Sequence, residues 1–388
     1  MPLRLSADRR GAVVAALGVT QTIGFASSYY IPAVLAVPMA AGLNLSPIWV
    51  YGAFSMALIV SAFVGPWAGA RIDRLGGRGV LMGSNLIFAA GLMLLALAPS
   101  APVLFMGWAL IGLGMGIGLY DSGFALLAGI YGRGARGAMT GITLIAGFAS
   151  TVGWPLSGLI LAHWGWREAC ATWALIHLLI ALPLNALLPT PAARPVAEAG
   201  PEEAEDGLPP PRGELALLAF VFAATWFIST AMAAHLPGLL QAAGASAATA
   251  IAAGALIGPA QVGARLMEFS LLGRFHPLVS ARLAAAAHPL AALLLVGIGG
   301  PAASAFALLH GAGNGILTIA KGTLPLALYG PAGYGRRLGW LSAPARITQA
   351  AAPLVFGAAL TAWGLNAIWL TAGIGAAALA ALCLIRRR

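Results

Sequence analysis

The sequence has little charge, few cysteines and almost no lysine. Only 8% of its 388 residues are charged and 60% are hydrophobic, whereas about a quarter of the residues in a soluble domain are charged. This balance excludes a water-soluble enzyme, a disordered chain and a nucleic-acid-binding domain. The two cysteines, Cys170 and Cys383, both lie in apolar stretches, so they provide neither a disulfide framework nor a metal site. The composition instead indicates a membrane protein with many crossings.

Twelve apolar segments follow one another along the chain. Each is long enough for the roughly 20 residues that a helix needs to cross the hydrocarbon, and the Gly and Pro residues inside them are tolerated in membrane helices. We therefore predict an all-α integral membrane protein with twelve transmembrane helices. The segments run over residues 12–38, 47–70, 79–98, 102–130, 137–163, 167–189, 214–241, 247–271, 278–298, 302–328, 338–362 and 365–385.

One polar stretch, residues 190–213, divides these segments into six and six. It holds five of the eleven acidic residues and six prolines, so it can bury no apolar face and is predicted to be a solvated cytoplasmic linker. The predicted domains are an N-terminal six-helix bundle over 1–189 and a C-terminal six-helix bundle over 214–388.

The basic residues favour one orientation. With the N-terminus in the cytoplasm, 17 of the 21 basic residues lie in cytoplasmic segments, and only Arg167 lies in a loop on the other side. Because cytoplasmic loops of membrane proteins are enriched in Arg and Lys, we predict that both termini are cytoplasmic. This distribution also accounts for the net charge of +10 without a nucleic-acid partner.

The two halves of the chain resemble each other. Residues 65–78 and 258–274 both carry Gly-Pro, Gly-Ala-Arg, an acid and Gly-Arg in that order. Residues 112–123 match residues 311–322, with three glycines in register. Parallel repeats of six helices are typical of secondary transporters, so the two bundles are predicted to be pseudo-symmetric.

A motif between the second and third segments strengthens this interpretation. It resembles the signature G-x-x-x-D-R-x-G-[RK]-[RK] of the major facilitator superfamily, and the resemblance extends over the whole chain through its six-plus-six topology. The family implies alternating access, and it implies that this motif serves conformational switching rather than solute choice. The gating residues that it implies here are Gly69, Asp73, Arg74, Gly76 and Arg78.

The chain also departs from patterns found in parts of that family. Gly77 stands at one of the two terminal basic positions of the motif. Trp108 stands where many proton-coupled members carry an arginine, and residues 153–158 are only distantly similar to the antiporter motif of the fifth helix. The last two departures count against a drug/proton antiporter.

Five charged residues lie inside predicted helices: Asp121, Arg265, Glu268, Lys321 and Arg346. Each costs about 2.5–3.5 kcal/mol at the centre of a membrane, so each must be paired or face a polar cavity. Asp121 and Lys321, the only lysine, occupy nearly equivalent places in the two repeats, and we hypothesise that they form an ion pair that closes an inner gate. Alternatively, each pairs within its own half, or Lys321 extends to the membrane surface.

The other three charges leave two interpretations open. Arg265 and Glu268 are three residues apart and can pair along one helix face, as a second copy of the loop motif or as part of a solute site. Arg346 lies nearer the middle of its segment. The surplus of three basic over two acidic residues suits an anionic solute.

Polar and aromatic residues on the helices that line the central cavity of the resembled fold complete the candidate site. Any one of them is more often a packing residue than a ligand contact. Three further histidines, His177, His235 and His288, are candidates for carrying a coupling proton, although single histidines in helices are usually structural. The candidate solute or coupling residues are Gln21, Tyr29, Tyr30, Trp226, Ser229, Thr230, His310 and Asn314.

Together these features predict a secondary active transporter of a small organic anion, such as a carboxylate, in a bacterial plasma membrane. The alternatives are an efflux pump for lipophilic compounds and a receptor without flux. No H-E-x-x-H motif is present, and we expect no catalytic residue, no cofactor and no metal. The expected partners are the solute, a possible coupling proton and the lipid bilayer, with no nucleic acid, and the chain is expected to be a monomer.

Overall fold

The computed structural model describes residues 5–190 and 212–386, and the regular structure in both ranges is helical. The predicted all-α architecture is therefore confirmed. Residues 1–4, 191–211 and 387–388 lie outside the described residues. Most of the predicted linker 190–213 falls among them.

Twelve helices, named α1 to α12 here, follow the twelve predicted segments within the described residues. In the first half they are α1 (Arg10–Ser27 and Ile31–Gly42), α2 (Pro47–Leu75), α3 (Gly77–Ala96), α4 (Ala101–Gly118 and Tyr120–Tyr131), α5 (Arg136–Ala146 and Ala149–His163) and α6 (Trp166–Ile176 and Leu182–Leu187). In the second half they are α7 (Arg212–Ala242), α8 (Ala247–Ala255 and Ile257–Ser270), α9 (Pro277–Ile298), α10 (Ala303–Tyr329), α11 (Tyr334–Trp363) and α12 (Ile368–Leu384).

Several helices are interrupted where their sequence weakens them. The break in α1 comes at residues 28–30, just before Pro32, because proline has no N–H to donate to the carbonyl group four residues earlier, that of Ser28. The break in α4 comes at Leu119, after a run rich in glycine. The two parts of α6 are joined by a π-helical turn at His177–Ala181. Such turns often mark functional positions in helices.

Ten helical stretches of the described residues are long and apolar enough to cross a membrane. Two of them are unusually long, Ala101–His163 with 63 residues and Tyr334–Leu384 with 51. Each has room for two crossings, and each contains a 3₁₀ turn that separates two helices, Gly132–Ala135 and Gly364–Ala367. The ten stretches therefore accommodate the twelve predicted crossings.

The helices pack into two compact units. Unit 1 contains the described residues of Met1–Leu208 together with Tyr329–Ala343, and unit 2 contains those of Pro209–Leu328 together with Pro344–Arg388. The first part of α11 thus packs with the helices of the first half of the chain. The bundle boundaries at 1–189 and 214–388 stay a prediction.

Glycines allow close contact between equivalent helix pairs in the two units. In unit 1 two glycines of α4 lie against the backbone of α2, and in unit 2 two glycines of α10 lie against the backbone of α8. Small residues at helix interfaces let backbones approach closely in membranes. The repeat seen in the sequence is therefore also a repeat in packing. The pairs are Gly112 with Ala57, Gly116 with Ser61, Gly311 with Ile257 and Gly315 with Gln261.

Large apolar side chains lie on the outside of both units. Phe63 and Leu354 are among the most exposed, at 74% and 75% of their surface. Buried positions instead include many alanines and glycines, with larger side chains such as Phe306 and Phe356 in the core of unit 2. This distribution fits a protein surrounded by lipid, where exposed apolar surface carries no penalty.

Candidate functional site

The loop motif joins α2 to the start of α11 within unit 1. The Asp73 carboxylate accepts two backbone hydrogen bonds, from the N–H of Gly335 over 2.7 Å and from the N–H of Arg336 over 2.8 Å. The first N–H groups of a helix have no acceptor within that helix. Asp73 therefore caps the N-terminus of α11 from another helix, and its negative charge suits the positive end of the helix dipole.

Gly69 makes this contact possible. A Cβ atom at Gly69 would overlap the carbonyl group of Gly335. One turn further along α11, a Cβ at Gly339 would lie 2.6 Å from the carbonyl oxygen of Gly65. The two backbones consequently touch along a stretch of glycines, which brings Asp73 within reach of the first turn of α11.

The remaining motif residues have different surroundings. Gly76 ends α2 with a φ of 79°, a conformation that glycine adopts without steric cost. Arg74 is exposed and Arg78 is half-buried. A Cβ at Gly77 would lie 2.8 Å from the Cβ of Leu126. A basic side chain has no room at Gly77, which explains the departure from the family pattern.

Arg337 holds the end of α10 next to this contact, a role that the sequence alone did not indicate. Its guanidinium donates to the carbonyl oxygens of Tyr329 and Gly330, each over 3.3 Å, and to that of Ala332 over 2.9 Å. The last carbonyl groups of a helix lack N–H donors within it, and arginine commonly donates to them. The short connection between α10 and α11 is therefore fixed at both ends.

Asp121 and Lys321, the predicted gate residues, lie in different units. Asp121 is half-buried in the first turn of the second part of α4, in unit 1. Lys321 lies in α10 in unit 2, with only 4% of its surface exposed. Its Nζ atom lies 5.5 Å from the centre of the Trp226 ring on α7, a distance suited to a cation–π interaction. The ion pair between Asp121 and Lys321 stays a prediction.

Arg265 and Glu268 are both buried on α8, at 5% and 2% exposure. The guanidinium of Arg265 donates to the side-chain oxygen of Gln261, one turn earlier, over 3.3 Å. Arg346 lies on α11 in unit 2 and is half-buried. These side chains place both signs of charge inside unit 2.

Gln21, Tyr29 and Tyr30 lie in two different surroundings in unit 1. Gln21 is buried and donates from its amide nitrogen to the carbonyl oxygen of Gly118 over 2.8 Å, so it satisfies a carbonyl at the break in α4. Tyr29 and Tyr30 lie at the break in α1. Their rings meet edge to face with a centroid distance of 5.4 Å, and Tyr30 meets Trp154 in the same way at 5.9 Å.

Two of the candidate residues on α10 line one cavity in unit 2. This cavity has a volume of about 30 Å³ and is bounded by α7, α9, α10 and α12. His310 and Asn314 line it, together with His288 of α9 and Thr225 of α7. The Nδ1 atoms of His288 and His310 lie 3.1 Å apart. The structure thus brings together two histidines that the sequence treated separately.

A buried polar chain in unit 1 was only partly indicated by the sequence. His177 is fully buried, and its ring nitrogens lie 2.7 Å from Ser27 Oγ and 2.9 Å from Asn85 Oδ1. Its ring stacks on Phe88 at 4.8 Å. Ser27 and Asn85 were not candidates, although an asparagine in an apolar segment is a usable signal because it needs hydrogen-bond partners there. His235, the third histidine considered, lies 2.8 Å from the Pro353 carbonyl oxygen.

The family comparison covers most of the chain. A family model described as Major Facilitator Superfamily matches residues 16–325. Among solved structures, a human organic anion transporter, MFSD10, is similar over 97% of this chain and 100% of its own, with 17% identity and a TM-score of 0.73. The fucose:proton symporter FucP from E. coli is similar over 97% of this chain and 98% of its own, with 16% identity and a TM-score of 0.70. At these identities the likeness shows the fold alone.

Curated relatives match shorter regions. An uncharacterized 38 kDa protein in the 23S RNA operon of Thermoproteus tenax is 34% identical over 36% of this chain and 36% of its own length. The multidrug resistance protein fnx1 of Schizosaccharomyces pombe is 34% identical over 29% of this chain and 21% of its own. A multidrug resistance protein B homolog of Mycobacterium tuberculosis is 35% identical over 31% of this chain and 22% of its own length. The matched regions therefore span about a third or less of these relatives.

Proposed function

The chain belongs to the Major Facilitator Superfamily and is a multi-pass membrane transporter, and on this premise we propose that it moves a small organic anion, such as a carboxylate, by alternating access. The proposal concerns the solute, its charge and the residues that bind it. Secondary transporters bind solutes near the middle of the bilayer on their repeated helices. The candidate binding residues accordingly lie on α1, α7, α8, α10 and α11.

One observation carries this proposal: the ammonium group of Lys321 is buried inside α10 beside the ring of Trp226. A buried cation in a membrane helix is costly and is therefore usually functional. An aromatic ring holds such a cation without neutralising it. Lys321 is therefore a candidate contact for the carboxylate of a solute, and Trp226 is a candidate apolar surface for the rest of the solute.

The other charges inside the helices support an anionic solute. Arg265, Lys321 and Arg346 outnumber Glu268 and Asp121 by three to two. The net charge of these positions is therefore positive, and the electrostatic free energy of a bound anion is lowered there. The fold is also compatible with such a solute, because the human neighbour of similar fold is named an organic anion transporter.

We assign two conformational roles within the same cycle. The contact of Asp73 with the start of α11 acts as a latch, with Gly69, Arg74, Gly76 and Arg78 as its motif. Asp121 and Lys321 act as an inner gate, whose ion pair forms and breaks as the protein alternates between its states. Binding of the anion at Lys321 would compete with this ion pair and so couple solute binding to gate opening.

Location and orientation are part of the proposal. We place the protein in a bacterial plasma membrane with both termini in the cytoplasm, as the distribution of basic residues predicts. The latch then lies on the cytoplasmic side.

The second candidate function is efflux of lipophilic compounds. It is favoured by the partial matches to multidrug resistance proteins of Schizosaccharomyces pombe and Mycobacterium tuberculosis. A pump for lipophilic cations would be hindered by the buried ammonium group of Lys321, which repels a cationic solute. This charge therefore distinguishes the two candidates.

Uptake by purified protein in liposomes tests the proposal. Radiolabelled mono- and dicarboxylates are compared with sugars, amino acids and cationic drugs, first with the wild type and then with Lys321→Met and Lys321→Arg. We expect saturable carboxylate uptake that falls by at least about tenfold in Lys321→Met, the size of effect that loss of one buried charge contact produces. Lys321→Arg, which keeps the charge, should retain more uptake than Lys321→Met.

Two outcomes would contradict the proposal. Carboxylate uptake that is equal in the wild type and in Lys321→Met would remove Lys321 from the binding site. Transport of cationic drugs without any transport of carboxylates would favour the efflux function instead.

A further inference from the structure

Two histidines from neighbouring helices meet inside unit 2. The Nδ1 atom of His288 on α9 lies 3.1 Å from the Nδ1 atom of His310 on α10. Only 6% and 4% of their surfaces are exposed, and both rings lie against Phe306. At this distance the two nitrogens share a hydrogen bond.

The hydrogen bond fixes how many protons the pair can hold. In the neutral pair one imidazole donates from Nδ1 and the other accepts, so the donor has a bare Nε2 and the acceptor carries its proton on Nε2. One additional proton can bind at the bare Nε2 while the hydrogen bond stays intact. A second would have to bind between the rings, where it would break the hydrogen bond and bring two positive charges together. The pair is therefore built for one proton.

The cavity beside the pair gives this proton a route. The Nε2 atom of His288 is buried and has no hydrogen-bond partner among the described residues. His288 lines the cavity of about 30 Å³, with Asn314 and Thr225 as further polar neighbours. A bound water needs roughly 10–15 Å³ of such space and polar partners, so the cavity has room for about two waters.

Small residues in the second half of the chain leave room for this cavity. Trp363 and Gly364 correspond to Trp164 and Gly165 at an offset of 199 residues. At the same offset, α12 has glycine and alanine at 375 and 376, where α6 has isoleucine and His177 at 176 and 177. In unit 1 the large His177 side chain fills the space between helices and binds protein groups with both ring nitrogens.

No other titratable side chain of the described residues lines the cavity. Besides the two histidines, the polar residues that line it are Thr225 on α7 and Asn314 on α10. The rest of the lining, from α7, α9, α10 and α12, is apolar. Two charged residues on α9 and α10, Arg282 and Lys321, do not line the cavity. Arg282 on α9 donates to the carbonyl oxygens of Leu382 and Ile385, and Lys321 lies about 16 Å along α10 from His310 at 1.5 Å per residue.

We propose that His288 and His310 form a site for one proton, which enters through water in the cavity and is bound and released once in each transport cycle. The first part of this proposal concerns proton binding alone. The second part rests on the proposed function, since it requires a transported solute. Asn314 lies one turn after His310 on the same helix and is a candidate solute contact, so it connects the proton site to the solute site.

Proton binding is tested without any solute. The full-length protein is labelled with ¹⁵N-histidine in lipid nanodiscs, and the ring signals of His288 and His310 are assigned from spectra of His288→Asn and His310→Asn. Asparagine places its amide close to the position of Nδ1 and keeps that hydrogen bond possible. His177→Asn serves as the control, since it removes a buried histidine whose two ring nitrogens both have protein partners.

We expect both signals of the wild type to move together in one step as the pH is lowered, because histidine gains its proton on acidification. The double variant His288→Asn, His310→Asn should take up one proton fewer than the wild type over the same titration, and His177→Asn should match the wild type. Signals that do not move, or that move in two separate steps, would overturn the one-proton site. Each single variant assigns one signal independently, so one histidine of the pair can still be followed in the wild type if the other variant does not fold.

The coupling is tested in liposomes with a carboxylate that the wild type transports. Each histidine variant should lose accumulation driven by a pH gradient by at least about tenfold, a typical coupling effect, and His288→Asn should also retain exchange of solute at equal pH. Unchanged accumulation in both variants would overturn the coupling role. If the wild type transports no carboxylate, the proposed function fails, while the nanodisc titration still decides the proton site.

Discussion

Replacing Gly69 with alanine should detach the start of α11 from α2. The added Cβ would overlap the carbonyl group of Gly335 and lie 2.8 Å from the nitrogen of Arg336. Backbone atoms cannot rotate away as the end of a side chain can. The two helices must therefore move apart at the point where the Asp73 carboxylate accepts its two hydrogen bonds.

The size of the effect follows from what these hydrogen bonds contribute. A hydrogen bond to a charged group contributes about 1.5–3 kcal/mol, whereas loss of a helix N-cap costs about 0.5–2 kcal/mol. Water can solvate the released Asp73 carboxylate, so the net cost is smaller than the sum of two such hydrogen bonds. We expect a loss of about 1–3 kcal/mol, which corresponds to about a 5- to 150-fold change in an equilibrium constant.

Hydrogen exchange at single amides measures this change. The N–H groups of Gly335 and Arg336 lie in the first turn of α11, where no acceptor within the helix is available. Their protection therefore reports directly on Asp73. In Gly69→Ala these two amides should exchange faster by about 5- to 150-fold, while amides in the middle of α11 should keep their protection.

The control comes from the same helix. A Cβ at Gly65 would approach Gly339 only to 3.9 Å, which is ordinary contact, so Gly65→Ala should leave the amides of Gly335 and Arg336 as protected as in the wild type. Equal exchange in Gly69→Ala and the wild type would refute the reasoning. So would equal acceleration in both glycine variants, since it would indicate a general weakening of α2.

Two further predictions concern the motif and the orientation. Gly77→Arg, which would restore the basic residue of the family motif, should lower the melting temperature because its Cβ presses on Leu126. Adding Leu126→Ala should recover part of this loss. No recovery would show that the contact with Leu126 is not the cause. Engineered cysteines at Arg78 and within 191–211 should react with a membrane-impermeant label from the same side and a cysteine at Arg167 from the opposite side; any other pattern would contradict cytoplasmic termini.

The positions of the helices were predictable because they depend on local composition. Each apolar segment is set by the number of residues needed to cross the hydrocarbon, and the observed helices lie within a few residues of the predicted ones. The breaks in α1, α4 and α6 were harder to predict. The break in α1 follows from Pro32, but the π-helical turn at His177–Ala181 has no comparable sequence mark.

The candidate site was predictable only as a set of residue types. The motif indicated that Asp73 would contact a helix terminus, but not that its partners would be the N–H groups of Gly335 and Arg336, about 260 residues away. Backbone groups carry no sequence signature, so such partners cannot be identified from the sequence. The same holds for Arg337 and the carbonyl groups at the end of α10.

By itself, the sequence determined the class of protein, the number of helices and the charged residues inside them, since these follow from the transfer of individual side chains between water and lipid. Only the tertiary structure decided which of those side chains meet. His288 and His310 are 22 residues apart and unremarkable as single histidines, yet two antiparallel helices bring their ring nitrogens to 3.1 Å beside a cavity. Their contact depends on the rotation and spacing of α9 and α10, which follow from tertiary packing such as the close approach of Gly313 on α10 to the Ala284 backbone on α9, rather than from any local pattern.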